Sequence, residues 1–158
     1  MHRPLTGTQI ASGIFLVLAA AVLAIAPVPV AYRSAGILLS AYLAFGVAGM
    51  PWAYLAALLA PAAGLLGGDG DWLALLPLIL SGNLLAMLTL EYTWRLPALV
   101  FSPLALMAPH VTTWALSQRE LFRVDLPLEP GALVWLFAHA GVAVLGVLLA
   151  MLLIPQDA

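Results

Sequence analysis

Residues 34–70, SAGILLSAYLAFGVAGMPWAYLAALLAPAAGLLGGDG, form an apolar run that is too long for one membrane span. A helix needs roughly 20 residues to cross a hydrocarbon core of about 30 Å, and only Asp69 interrupts this run near its end. The middle of the run, Gly46-Val-Ala-Gly49-Met50-Pro51, contains glycines and a proline that weaken a helical hydrogen-bond ladder. The pattern predicts a break there, with two short helices of opposite direction; one long kinked helix is the alternative.

Four further stretches without charge lie on either side of this run. They are Pro4–Tyr32, Trp72–Leu90, Leu96–Gln118 and Pro130–Gln156. Together with the broken run they predict six membrane segments: Gln9–Ala26, Ala35–Gly49, Trp52–Leu66, Trp72–Leu90, Pro97–Ser117 and Gly131–Ile154. The predicted fold is all-α, a polytopic transmembrane bundle of about six helices in a single integral membrane domain, residues 1–158. Without the break, the chain has five crossings.

The composition supports the same fold and excludes several functions. Of the residues 65% are apolar and only 8% are charged, whereas a soluble domain is about 25% charged. Because so few charges cannot cover a globule in water, the chain is predicted to be a multi-pass protein of a bacterial cell membrane. Lysine is absent and the arginines are scattered, which disfavours nucleic-acid binding. The absence of cysteine excludes disulfides, thiolate zinc sites and iron–sulfur clusters, and no cofactor is predicted.

The first segment resembles both a retained helix and a signal peptide. His2 and Arg3 precede an apolar run that ends at the small residues Ala24-Ile-Ala26. The apolar run is longer than the roughly 7–15 residues of a signal-peptide core. A retained helix, which the rest of the bundle can pack against, is therefore the favoured interpretation.

Few polar residues are predicted to lie inside the spans, and no charged ones. Asn83 follows Gly82 near the middle of the fourth segment, where a buried amide must find hydrogen-bond partners. Either it bonds another helix, through a backbone carbonyl or through Ser102 or Thr112, or it contacts a ligand. His110 and His139 could face each other across two helices. A third metal ligand is lacking, so a neutral histidine in an interhelical hydrogen bond is favoured over a metal site.

No set of catalytic residues is recognisable. The chain has no serine elbow, no His-Glu-x-x-His, no phosphate-binding loop and no paired carboxylates within reach of the membrane. The charges of the last connection read as a solvated, locally neutral loop: Arg119, Glu120, Arg123, Asp125 and Glu129. The chain is therefore predicted not to be an enzyme.

The order of helices and helix breakers resembles a known family. Pro27-Val-Pro29 ends the first helix, and two abutting helices meet at Gly46–Pro51. A small-residue helix then runs into Gly64-Leu-Leu-Gly67-Gly68-Asp69, and a helix with Leu76-Pro77 and Gly82 follows. This layout resembles the substrate-binding S-components of energy-coupling-factor vitamin transporters. It is also similar in plan to the rod-shape protein MreD, whose acidic-serine-glycine turn is replaced here by Gly67-Gly68-Asp69-Gly70-Asp71.

The resemblance implies a function and candidate residues. An S-component-like chain is a membrane subunit that binds a vitamin-like small molecule and relies on a partner membrane protein for energy. Its ligand lies near the outer surface, which points to Tyr32, Arg33, Trp72, Asn83 and His139. The first helix of such subunits presents an alanine-x-x-x-alanine face to the partner, and Ala20 with Ala24 is the candidate here. The MreD-like alternative is a non-catalytic scaffold or accessory subunit of a membrane complex.

Overall fold

The structure, a computed structural model, describes residues 6–118 and 131–154. Its six helices are α1 (Gly7–Ile25), α2 (Val30–Ala48), α3 (Met50–Gly67), α4 (Gly70–Tyr92), α5 (Ala98–Gln118) and α6 (Ala132–Leu153). Each is long and apolar enough to cross a membrane, and these two ranges contain no strand. The predicted all-α membrane bundle is confirmed. The charged loop of residues 119–130 lies outside the described residues.

Gly49 alone connects α2 to α3. Its φ of 94° lies in the left-handed region, where a side chain causes strain, and its N–H donates to the carbonyls of Ala44 and Phe45. The two helices are antiparallel, because Arg33 near the start of α2 contacts Asp69 just beyond the end of α3. The predicted break is thus a reversal, and the bundle has six candidate spans. Both helices are nearly full spans of 19 and 18 residues, longer than predicted.

The prediction of spans without charge is wrong. α2 begins at Val30, ahead of the predicted Ala35, and therefore contains Arg33. α4 contains Asp71 in its first turn and Glu91 near its end. Arg33 is tolerated because Asp69 neutralises it, whereas charges at the ends of α4 lie where side chains reach the headgroups.

Helix α2 is the centre of the bundle. More than half of its residues are buried, and it packs against α1, α3 and α6. On the other side of the bundle, α4 packs between α3 and α5, and α5 packs between α4 and α6. Several close approaches place an aromatic ring over a glycine. Tyr42 of α2 covers Gly146 of α6, and Trp72 of α4 covers Gly64 of α3. A Cβ atom at Gly146 would lie 2.4 Å from the Tyr42 ring, so the glycine sets the distance between α2 and α6.

The small residues of α1 face the bundle and not a partner. Ala20 and Ala24 are both fully buried where α1 packs against α2 and α3. The prediction that this pair docks a partner is therefore wrong for this structure. Small side chains let α1 approach its neighbours closely, and in this contact α2 and α3 already cover both alanines. The side chains that α1 exposes are large and apolar, among them Phe15, Leu18 and Val22.

The irregular backbone of α3 explains the partner of Asn83. The helix is α-helical over Met50–Tyr54, π-helical over Leu55–Leu59 and 3-10 helical over Ala60–Gly67. Pro61 has no N–H for the Ala57 carbonyl four residues before it. The side-chain amide of Asn83 donates to this carbonyl at 3.0 Å. The sequence allowed Asn83 to bond a backbone carbonyl, Ser102, Thr112 or a ligand, and in the structure it bonds a backbone carbonyl.

We expect Asn83→Ala to destabilise the protein by about 1–2 kcal/mol, the upper range for interhelical hydrogen bonds in membranes. The substitution removes the hydrogen bond that joins α4 to the Ala57 carbonyl of α3. Thermal unfolding in detergent measures the loss. Pro61→Ala is the matched background, because it restores an N–H to residue 61. The cost of Asn83→Ala should shrink in that background, and an unchanged cost would contradict this role of the proline.

The reversal at Gly49 predicts a pattern of labelling. The chain has no cysteine, so single cysteines can replace Tyr32, Gly67 and Tyr92, all of which are exposed. In a sealed membrane, an impermeant maleimide should reach positions 32 and 67 from the same side and position 92 from the other. A five-crossing chain would instead place positions 32 and 67 on opposite sides.

Candidate ligand site: two buried polar clusters at one end of the bundle

Arg33 is the centre of the first cluster. Its side chain is buried, with 5% of its surface exposed, and forms an ion pair with Asp69. It also donates to the carbonyl of Ala24 at 3.2 Å and lies 4.8 Å from the centre of the Trp72 ring. Trp72 is itself held by a hydrogen bond from its Nε1 to the Pro61 carbonyl at 3.2 Å. One guanidinium thus links α1, α2, α3 and α4 at one end of the bundle.

Asp69 serves two purposes in the link between α3 and α4. It caps α4, where its carboxylate accepts from the N–H groups of Asp71 and Trp72 at 3.0 and 3.3 Å. The hydrogen bond from Arg33 lowers the pKa of the Asp69 carboxyl below its usual value, and the two backbone donors lower it further against the opposing effect of burial. Asp69 is therefore charged at neutral pH and neutralises the buried guanidinium.

Three aromatic rings and a serine form the second cluster. Trp135 and His139 lie four residues apart on α6 and stack with ring centres 4.5 Å apart. His110 of α5 lies 6.0 Å from His139 and 6.1 Å from Trp135, between ring centres. Ser34 of α2 completes the group, with its Oγ 2.7 Å from Nε2 of His139. We call Ser34, His110, Trp135 and His139 the histidine cluster.

The histidine cluster lies within the membrane at the same end as Arg33. At about 1.5 Å per residue, Ser34 is about 6 Å from the start of α2 and His139 about 10 Å from the start of α6. All four side chains are at least nine-tenths buried. The cluster therefore occupies the interior of the bundle, about one-third of the way across.

The hydrogen bonds of the two histidines assign their tautomers. Nδ1 of His139 is 2.8 Å from the Trp135 carbonyl, which can only accept, so Nδ1 carries the proton. In the neutral ring Nε2 is then an acceptor, and the Ser34 hydroxyl, whose Oγ also lies 2.9 Å from the Val30 carbonyl, can donate its one proton to it. Nδ1 of His110 likewise donates to the Leu106 carbonyl at 3.1 Å, which leaves Nε2 of His110 as an acceptor.

Two polar atoms of this cluster have no partner among the described residues. They are Nε2 of His110, an acceptor, and Nε1–H of Trp135, a donor. A buried polar atom without a hydrogen bond costs roughly 1–3 kcal/mol, and such atoms mark positions where a water or ligand binds. Because one atom accepts and the other donates, a single small polar group could satisfy both.

The predicted ligand residues fall into different places. Arg33 and Trp72 belong to the first cluster and His139 to the second. Tyr32 joins neither, because 63% of its surface is exposed on the outside of α2. Asn83 is buried and bonded to α3, outside both groups. His110 and His139, which the sequence allows to face each other, have ring centres 6.0 Å apart, and no hydrogen bond joins the two rings.

Two residues of the histidine cluster escaped prediction from the sequence. Trp135 could have been found, because a spacing of four residues puts it on the same helix face as His139. Ser34 had no such signal, since its partner is far away in the chain. Among the described residues, no three side chains of His, Asp or Glu come close enough to hold a metal ion.

The function must be inferred from this geometry alone. Comparisons of the chain with protein-family models, with curated proteins and with solved structures give no match. The likeness to S-components and to MreD accordingly stays a prediction drawn from the order of helices. What is established is an all-α membrane protein with six candidate spans and two buried polar clusters at one end.

Proposed function

We propose that this chain is a small-molecule-binding membrane subunit of a transporter of the cell membrane, and that it relies on a partner for energy. The observation that carries the proposal is the pair of unpaired atoms in the histidine cluster, Nε2 of His110 and Nε1 of Trp135. A molecule that forms hydrogen bonds with both atoms would complete the network and would be stabilised by these bonds when it is bound.

The surroundings of these atoms suit a small ligand. Aromatic rings surround them, and ligand sites are mostly apolar with a few polar groups that fix orientation. The site lies about one-third of the way across the bundle, within reach of one membrane surface. The S-component plan places its ligand near one surface in the same manner.

The partner is proposed because the chain lacks its own means of driving transport. It has no lysine and no glycine-rich phosphate loop with which to bind a nucleotide. The one cation buried within a described span, Arg33, is committed to Asp69 at the end of the bundle. Since Ala20 and Ala24 are buried, any contact with a partner must use other residues.

Native mass spectrometry of the gently purified protein tests the proposal. We expect the wild-type protein to retain a small molecule that His110→Phe and Trp135→Phe lose, because each variant keeps a ring and removes the unpaired nitrogen; His110→Phe also removes Nδ1, which bonds the carbonyl of Leu106. Tyr42→Phe is the matched control. The Tyr42 hydroxyl forms a hydrogen bond of 2.6 Å with Ser102, which is not part of the histidine cluster. Removing this hydroxyl should therefore leave retention of the small molecule unchanged.

Two results would overturn the proposal. One is a wild-type protein that retains no small molecule in any gentle detergent. The other is retention that does not depend on His110 or Trp135. Copurification of a partner chain together with the first of these results would favour the scaffold or accessory function instead.

A further inference from the structure

A groove between α4 and α5 opens toward the bilayer beside the histidine cluster. Its volume is about 540 Å³, within the range of roughly 300–1,000 Å³ that ligand pockets occupy. The side chains that line it are mostly apolar, including Pro77 and Leu85 on α4 and Pro109 on α5. All of its residues belong to membrane spans, so the groove faces lipid and not water.

The groove lies beside the contact between α4 and α5 that covers His110, although His110 itself does not line it. Ser81 and Pro109 line the groove, and the next residues along the two helices, Gly82 and His110, contact each other behind it. A Cβ atom at Gly82 would lie 3.1 Å from Cε1 of His110, the ring atom bonded to Nε2. Only the absence of a side chain at Gly82 therefore allows α4 to approach this edge of the ring.

The helices are weakened on both sides of the groove. Pro77 and Pro109 have no N–H, so the carbonyls of Leu73 and Ala105 lose their usual helical partners. Interior prolines are where helices bend. A molecule in the groove could reach the histidine cluster only if α4 or α5 moved apart at such a bend.

We infer that the ligand of the histidine cluster is a membrane-dissolved amphiphile that enters between α4 and α5. Its apolar body lies in the groove, and its head group is neutral and both donates and accepts a hydrogen bond, as a hydroxyl does. The head donates to Nε2 of His110 and accepts from Nε1 of Trp135. A charged head is disfavoured because no charged side chain belongs to the histidine cluster. This inference rests on the proposed function and specifies the class of its ligand.

A second groove provides an internal control. It lies between α1 and α2, has a volume of about 440 Å³ and is lined by Ser12, Phe15 and Leu43 among others. Its lining residues belong to α1 and α2, whereas the unpaired nitrogens of the histidine cluster lie on α5 and α6. An apolar chain should enter both grooves, whereas a hydroxyl should add affinity only between α4 and α5.

The test uses photo-crosslinking of the whole protein in detergent with a 1-decanol analogue that carries a diazirine in its alkyl chain. We expect adducts on α4 and α5 that 1-decanol competes away about three- to tenfold better than decane, the ratio that one hydrogen bond in a membrane provides. Decanoate should compete more weakly than 1-decanol. At the groove between α1 and α2, 1-decanol and decane should compete equally.

His110→Phe and Trp135→Phe should each remove the advantage of 1-decanol over decane, while thermal unfolding shows that the variants are folded. Equal competition by the two compounds in the wild-type protein would overturn the inference, as would an advantage that survives both variants. If the protein retains a water-soluble molecule that depends on His110, the proposed function stands and entry from the bilayer fails. If neither retention of a small molecule nor competition by 1-decanol depends on His110 and Trp135, the proposed function and the proposed entry from the bilayer are both wrong.

Discussion

Asp69→Asn is expected to lower the free energy of unfolding by about 2–3 kcal/mol. Removing one partner of a fully buried ion pair costs about 3–5 kcal/mol, and the value here is smaller because one-third of the Asp69 side chain is exposed. Asparagine still caps α4, so the substitution isolates the charge. Thermal unfolding in detergent at neutral pH measures the change.

Asp71→Asn is the matched control for this prediction. Asp71 is an exposed carboxylate in the first turn of the same helix, two residues from Asp69. Its removal should cost at most about 0.3–1 kcal/mol through the helix dipole. In an Arg33→Met background, Asp69→Asn should cost little, because no guanidinium is left unpaired. Equal losses in the presence and absence of Arg33 would contradict the ion pair.

The same pair predicts how stability depends on pH. The pKa of Asp69 is lower in the folded protein than its unfolded value of about 3.9. Its contribution is therefore complete above that value and is lost as the pH falls through the lower folded pKa. The wild-type protein should lose more stability than Asp69→Asn when the pH falls below about 4, and parallel pH profiles would contradict this.

Gly146→Ala is the second substitution with a large expected effect. The added Cβ atom would lie 2.4–2.7 Å from three atoms of Tyr42, whose hydroxyl bonds Ser102 on α5. Tyr42 is fully buried and cannot move away without displacing α2 or α6. We expect a loss of about 1–3 kcal/mol, the usual cost of overpacking a tight core, measured by thermal unfolding.

Gly141→Ala is the control on the same helix. A Cβ atom at Gly141 would have no heavy atom within 4 Å. The substitution should therefore leave the free energy of unfolding unchanged or raise it slightly, because alanine has a better helix propensity than glycine. Tyr42→Ala should restore tolerance of alanine at Gly146, because it removes the ring that the new methyl group meets. Equal effects at Gly141 and Gly146 would show that the close approach of α2 and α6 does not limit stability.

The number of helices and their approximate ends could be predicted from the sequence because those signals are local. The length of each apolar run is set by the thickness of the bilayer, and a glycine next to a proline interrupts a helix wherever it occurs. These signals predict the break at Gly49. They do not predict the start of α2, because the charge of Arg33 resembles the edge of a membrane span although a distant carboxylate neutralises it.

The candidate site was decided by the tertiary structure, because it depends on how the helices are rotated about their axes. The bond between Ser34 and His139 joins residues 105 positions apart, and no periodicity within α2 or α6 specifies it. Ala20 and Ala24 also show that the sequence does not specify how a helix is rotated about its axis. Their spacing indicates a face for close packing, and only the arrangement of α1 against α2 and α3 determines that the face is turned inward. The local sequence therefore specifies the candidate membrane spans, because length and apolar character are properties of each segment, whereas packing specifies which of their polar side chains meet.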